Sequence, residues 1–202
     1  MILTPVSSAL PIILASQSPR RREIFRYFSL PFEQIFHEFD EASYPMGEIP
    51  RDYAKGLSLE KAKDVFSRYP ENVVVAADTI VVINGLTLSK PKNRSDALQM
   101  IHSLSGKWHT VITGVSVISS TGSHSSSAET QVLLNSITEE QIQSYLDRGE
   151  WHDKVGGYAI QGVGSLLVNR IDGCYYNVMG LPVGVLSSLL REAGVDLWKF
   201  LS

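Results

Sequence analysis

Two short apolar runs, Leu10–Ala15 and Val73–Ala77, constrain this chain most. Each is too short for a buried helix and each stops abruptly at polar residues, so each reads as a strand buried in a sheet. Between them, from about Pro50, the residues Tyr53, Leu57, Ala62, Val65 and Phe66 recur with an approximate 3.6-residue period, which places a helix between the strands. Past Val73–Ala77 the strand is expected to end at Asp78-Thr79, and Ile80–Ile83 then meets Asn84-Gly85, a strong hairpin signal. A helix capped at Ser95 would carry Leu98, Ile101 and Leu104 and stop before Gly106. Val111, Val115 and Val117 lead into the serine-rich Ser119–Ser127, read as a mobile hairpin tip, with a return strand over Glu129–Leu134. Thr138 and Gln141 have the spacing of a capping box ahead of Ile142, Tyr145 and Leu146. Leu166–Ile171 and Cys174–Met179 read as another hairpin about Asp172-Gly173, and a last helix covers about Val183–Glu192. Strands, helices and hairpins interspersed in this way predict an α/β fold with a mixed sheet. With no repeat and no linker, the 202 residues predict a single domain over 1–202.

Composition narrows the partners. Hydrophobic residues make up 44% and charged residues 19%, far from a disordered chain, and the formal charge of -3 provides no basic field for nucleic acid. One cysteine, Cys174, excludes an intrachain disulfide and lends secretion no support. No apolar run reaches the length of a membrane span. The apolar start, Met1–Ser16, has no basic residue before Arg20, so it reads as an extension into the first strand, and a cytoplasmic location is expected. An anionic ligand would have to be held by locally placed Lys and Arg.

Ser16-Gln17-Ser18-Pro19-Arg20-Arg21 supplies such a place, where a strand feeds a helix. Ser18 suits an N-cap and Pro19 the first helical position. Unpaired N–H groups there favour anions, and arginines add forked donors that match phosphate oxygens. The plainer alternative is that these arginines are solvated on a surface helix. Asp78, directly after a buried strand, stands where open α/β sheets bind ligands, and would ligate Mg²⁺ or orient a water; equally, it would be an ordinary strand-terminal cap. Thr79, Lys61, Lys90, Asp40 and Glu41 are further candidates, each by itself more often a solvent-facing or strand residue. Gln161, in a glycine-rich loop, would read a base edge or brace the loop. The five histidines show no paired zinc spacing and are expected to be surface or structural, and no Walker A or dinucleotide fingerprint is present.

In combination, LASQSPRRREIF, LEKAK around Lys61, AADTIVVINGLTLSKP, LSGKWHTVITGVSV and DKVGGYAIQGVGSLLVNRIDGCYYNVMGLP resemble the Maf family of nucleotide pyrophosphatases, from about Ile13 to Leu190. SxSPRR, ADT and YxIQG in that order are jointly specific. The resemblance implies a Maf-type, inosine-triphosphatase-like fold with a mixed, twisted sheet flanked by helices. It also implies a divalent metal (Mg²⁺, with Mn²⁺ an alternative), a nucleoside triphosphate substrate cut between the α- and β-phosphates, and a homodimer. It puts the phosphate-binding arginines on Arg20 and Arg21 beside Ser16 and Ser18, and the catalytic acid on Asp78. Lys61, Lys90 and, by a looser match, Glu41 fall on the remaining charged positions, with Asp78 and Glu41 the metal ligands. Positions linked to substrate choice fall on Arg20, Thr79 and Gln161. Ile160-Gln161-Gly162 resembles members acting on dTTP and UTP; members acting on 7-methyl-GTP usually carry a glutamate in this loop. Ser89 stands where many relatives have Gly, and Trp151-His152 depart from the usual residues, which bears on the pocket rim. The alternatives to a pyrimidine-specific enzyme are the 7-methyl-GTP subgroup and a nucleotide-binding regulator of cell division.

Overall fold

The computed structural model describes residues 10–47 and 49–201, so the first nine residues of the Met1–Ser16 extension lie outside the described residues. Seven strands and six α-helices are interspersed among the described residues. β1 (Ile12–Ala15), α1 (Pro19–Phe25), β2 (Phe32–Ile35), α2 (Pro50–Arg68), β3 (Val74–Ile83), β4 (Leu86–Leu88), α3 (Arg94–Leu104) and β5 (Trp108–Ser119) come first. β6 (Gly122–Leu134), α4 (Glu139–Asp147), β7 (Val168–Asp172), α5 (Tyr175–Val178) and α6 (Val183–Glu192) complete the order. The sheet order is β2-β1-β3-β5-β6-β7, with β4 pairing with β3. β1 runs parallel to β2 and β3, whereas β3–β4 and β6–β7 are antiparallel, so the fold is α/β with a mixed sheet. No described helix is long and apolar enough to cross a membrane.

The chain divides into two compact units, the first made of residues 1–78, 113–128 and 180–202. Its core joins Ile13 and Ala15 of β1, Ala62 and Val65 of α2, Val74 and Ala76 of β3, and Ile118 of β5. α1 starts as its sequence dictates, with Pro19 in the first turn and the Ser18 hydroxyl accepting the Arg21 N–H. α2 lies so close to β5 that a Cβ on Gly114 would come 2.3 Å from the Ala54 carbonyl oxygen, which requires glycine there. Ser58 of α2 and Ser116 of β5, both fully buried, share a hydrogen bond of 2.7 Å.

The second unit contains residues 79–112 and 129–179. Its core packs Ala97, Ile101 and Leu104 of α3 with Ile142, Tyr145 and Leu146 of α4 and with Val81, Ile83, Val111, Val132 and Leu134 of the strands. Asn84 (φ 50°) and Gly85 (φ 77°) form the two-residue turn joining β3 to β4. Thr138 and Gln141 close their capping box reciprocally.

The structure departs from the sequence expectations in five places. β3 does not end at Asp78 but runs on to Ile83, because the buried Asp78 carboxylate has an ammonium partner, Lys61. α3 is capped by Asn93, whose Oδ1 accepts the Asp96 N–H at 2.9 Å, so Ser95 falls inside the helix. Ser119–Ser127 is mostly strand rather than a tip: only Ser120 and Thr121 form the turn, and the backbone ladder pairs whatever the side chains. Cys174–Met179 forms a helical turn instead of a hairpin arm. There Thr130 Oγ1 accepts the Cys174 N–H and Asn177 Nδ2 donates to the Val111 carbonyl, so side chains replace the ladder. Finally, β2 has a half-buried FEQI sequence without any apolar run and went unread.

Candidate active site

In the first unit, Ser16 is buried at the end of β1, and its hydroxyl accepts the Ser18 N–H and Arg21 Nη1, each at 3.2 Å. Arg21 is the third residue of α1; its Nε donates to the Gly180 carbonyl at 2.8 Å. Two of its contacts thus aim one guanidinium at a fixed orientation. The dense surroundings of Arg21 lower its pKa to about 10 chiefly through desolvation; Asp78 opposes this, Arg20 reinforces it and Glu41 opposes it again. Arg20 is half-buried in the preceding position. α1 has only seven residues, so the arginines rather than its dipole supply most of the positive field.

Facing these cations is an acidic pair bridged by a lysine. Lys61, from the buried face of α2, is 4% exposed, and its Nζ lies 2.6 Å from Asp78 Oδ1 and 2.9 Å from Glu41 Oε1. Asp78 is 7% exposed, and a carboxylate at such depth requires a partner of this kind. Glu41 opens a 3-10 turn, Glu41–Ser43, which the Asp40 side chain caps by accepting the Ala42 N–H at 3.0 Å; Asp40 is therefore a structural cap. The structure brings together Ser16, Ser18, Arg20, Arg21, Glu41, Lys61 and Asp78 within one unit.

Two neighbours were missed by the sequence reading. His37 Nε2 lies 3.5 Å from Glu41 Oε1, with its imidazole pKa pushed down first by burial and then by Lys61. The phenol of Tyr53 is pushed up by burial and next by Asp78 and Glu41. The sequence presents Tyr53 only as a helix-face residue and His37 only as a surface or structural histidine, since the loop between them carries no local signal. Asp78 and Glu41 bring two carboxylates to one place beside the Lys61 ammonium. That donor set fits a hard divalent cation, which takes one or two carboxylates and completes its shell with substrate phosphates and water. Among the described residues, no group of three or more His, Cys, Asp or Glu side chains could hold a metal unaided.

Thr79, Lys90 and Gln161 belong to the second unit. Thr79 and Gln161 are half-buried and Lys90 is exposed. The loop bearing Gln161 is tied to the segment bearing Lys90 by the Gly156 N–H, which donates to the Ser89 carbonyl at 3.1 Å. Trp151 is core, 7% exposed with Nε1 donating to the Leu146 carbonyl, and so does not form a rim.

The fold and these residues define a class: an α/β protein with forked cations beside a lysine-bridged carboxylate pair, equipped for a phosphate-bearing anion. The family model described as Maf-like protein matches residues 11–193, and the chain belongs to the Maf family. A dTTP/UTP pyrophosphatase of Caldanaerobacter subterraneus is 44% identical over 188 residues, covering 91% of this chain and 90% of that protein. One of Chlamydia caviae is 38% identical over 191 residues, covering 94% and 97%. Among solved structures, a nucleoside-triphosphatase described as a dITP/XTP pyrophosphatase, from Mycobacterium abscessus, is 16% identical with a TM-score of 0.44, covering 63% of this chain and 76% of that one.

Proposed function

We propose that this protein is a nucleoside-triphosphate pyrophosphatase that hydrolyses dTTP and UTP to the monophosphate and pyrophosphate. The observation that carries the reading is the Lys61 bridge between Asp78 and Glu41 beside the anchored Arg21. The kinship with dTTP/UTP pyrophosphatases directs it to those substrates. Hydrolysis at the α–β anhydride forms a bond from water oxygen to phosphorus and breaks the bond to the bridging oxygen, which leaves with pyrophosphate. Little covalent chemistry falls to the protein; positioning and charge neutralisation do most of the catalysis. Arg20 and Arg21 bind phosphate oxygens, Ser16 and Ser18 set the first turn that holds them, and Lys90 adds a positive charge. Lys61 orients Asp78, which accepts the proton of the attacking water or holds the metal. Asp78 and Glu41 would hold a divalent cation, Mg²⁺ or Mn²⁺, which when bound neutralises phosphate charge. Thr79 and Gln161, with Arg20, select the base: an amide has both donor and acceptor for the carbonyl and N3–H edge of a pyrimidine.

The chain is read as one catalytic domain, supported by β3, β5 and β6, which each contribute residues to both units. A cytoplasmic homodimer completes the proposal, and light scattering at micromolar protein tests the dimer. Pyrophosphate release from a panel of dTTP, UTP, dATP, dGTP and 7-methyl-GTP, with Mg²⁺ and with chelator, tests the function. The expected result is metal-dependent release fastest from dTTP and UTP; release fastest from 7-methyl-GTP, or from none, contradicts it.

A further inference from the structure

Buried in the second unit is a hydrogen-bonded pair that the proposed chemistry does not use. His109, at the start of β5, is 2% exposed, and its Nε2 lies 2.7 Å from the hydroxyl of Tyr158, itself 5% exposed. The rings meet edge to face, with centroids 5.4 Å apart at 87°. Burial pushes the His109 imidazole down to about 4 and pushes the Tyr158 phenol up, so both partners are neutral near pH 7. A neutral hydrogen bond in an apolar core is strong in isolation, and breaking it leaves a polar atom buried without a partner.

Tyr158 lies in the loop that carries Gln161, and residues other than Gln161 hold this loop at several points. The Gly156 N–H reaches the Ser89 carbonyl and the Ala159 N–H donates to the Tyr145 hydroxyl, both at 3.1 Å. The Glu150 carboxylate accepts the Val163 N–H at 3.4 Å and the Gly164 N–H at 3.2 Å. Gly162, next to Gln161, has φ 63°, a conformation that favours glycine, and a Cβ there would stand 2.9 Å from both Glu150 oxygens and displace the carboxylate. The bracing of the loop is therefore done by its neighbours, and the side-chain amide of Gln161 is presented by a backbone that has little freedom to adapt.

We infer that Tyr158 is a positioning residue for base selection: its hydroxyl, held by the buried His109, fixes the loop that presents Gln161. The inference rests on the proposed reading that Gln161 recognises the base. The Glu150 contacts still hold the Val163–Gly164 end, so loss of the Tyr158 anchor loosens the other end of the loop. The amide then meets the pyrimidine edge out of register, and discrimination falls while the phosphate-handling residues of the first unit keep their geometry.

The test is the ratio of kcat/KM for dTTP over dGTP in Tyr158→Phe, Gln161→Ala and the double variant, with Tm as a folding control. Tyr158→Phe is expected to lower the ratio by about tenfold, mainly through the KM for dTTP, with its kcat held within about threefold of wild type. The double variant should be no less selective than Gln161→Ala alone, because the two residues act in series. His109→Gln retains an amide donor near the position of Nε2 and should keep most of the selectivity that His109→Leu loses. If Tyr158→Phe fails to fold, the Gln and Leu variants of His109 carry the comparison. A ratio changed by less than about twofold in Tyr158→Phe, while Gln161→Ala lowers it, overturns the positioning role and leaves the reading of Gln161 intact. Multiplicative losses in the double variant overturn it likewise. An unchanged ratio in Gln161→Ala removes the reading of Gln161 itself, and the inference with it.

Discussion

The Lys61 ammonium lies 2.6 Å from the Asp78 carboxylate, and both side chains are almost wholly withdrawn from solvent. Each charge at that depth needs a partner, and Asp78 leans on Lys61 whereas Lys61 also has Glu41 at 2.9 Å. Breaking a buried pair from one side typically costs about 3–5 kcal/mol, whereas removing both partners costs much less. Lys61→Met should therefore lower the unfolding free energy by roughly that amount, and Asp78→Asn in the same chain should restore much of it. Urea unfolding of the two single variants and the double variant measures this. Additive losses would mean that the pair is not coupled.

Arg21 is positioned by the Gly180 carbonyl and the Ser16 hydroxyl through two different nitrogens of one guanidinium. A lysine ammonium can replace one of these contacts but not the fork. Arg21→Lys should raise the KM for dTTP by roughly tenfold or more while keeping the fold. Steady-state kinetics with Tm measured alongside decides this, and an unaltered KM would place the triphosphate elsewhere.

His109 imposes a pH dependence on stability. Burial depresses its folded pKa to about 4 from the ordinary imidazole value of 6.5, so between these values the unfolded chain binds a proton that the folded one excludes. Stability contributed by neutral His109 is present above pH 6.5 and is lost as pH falls towards 4, with no further loss below. The full loss is about 3 kcal/mol at one pKa unit per 1.36 kcal/mol. In His109→Gln, denaturation midpoints measured from pH 7 to 4 should fall less steeply than in wild type. Parallel curves would show that His109 is not the titrating group.

The parts of the fold that were legible in the sequence are those whose hydrogen bonds close within a few residues. Ser18 caps Arg21, Thr138 and Gln141 cap each other, and Asn84-Gly85 makes its turn by its own dihedrals. Apart from the α3 cap, where Asn93 and not Ser95 takes the local role, much of what escaped depends on partners far along the chain. β3 continues through Asp78 because Lys61, 17 positions earlier, offsets the buried charge. α5 replaces a strand because Asn177 finds Val111 and Thr130, 66 and 47 positions away. The site residues of the first unit were named from motif and resemblance, but the lysine bridge was not visible, nor were His37 and Tyr53 beside it. The anchoring of the Gln161 loop was equally hidden, since Tyr158 and His109 are 49 positions apart.

The most direct measurement is product formation from dTTP and Mg²⁺ by wild type and by Asp78→Asn, which keeps the shape of the side chain and removes its charge. Wild type should release dTMP and pyrophosphate in equal amounts, and the folded variant should turn over at least about a hundredfold more slowly. Formation of dTDP and phosphate, or near-normal turnover by a folded Asp78→Asn protein, would contradict hydrolysis at the α–β bond dependent on Asp78.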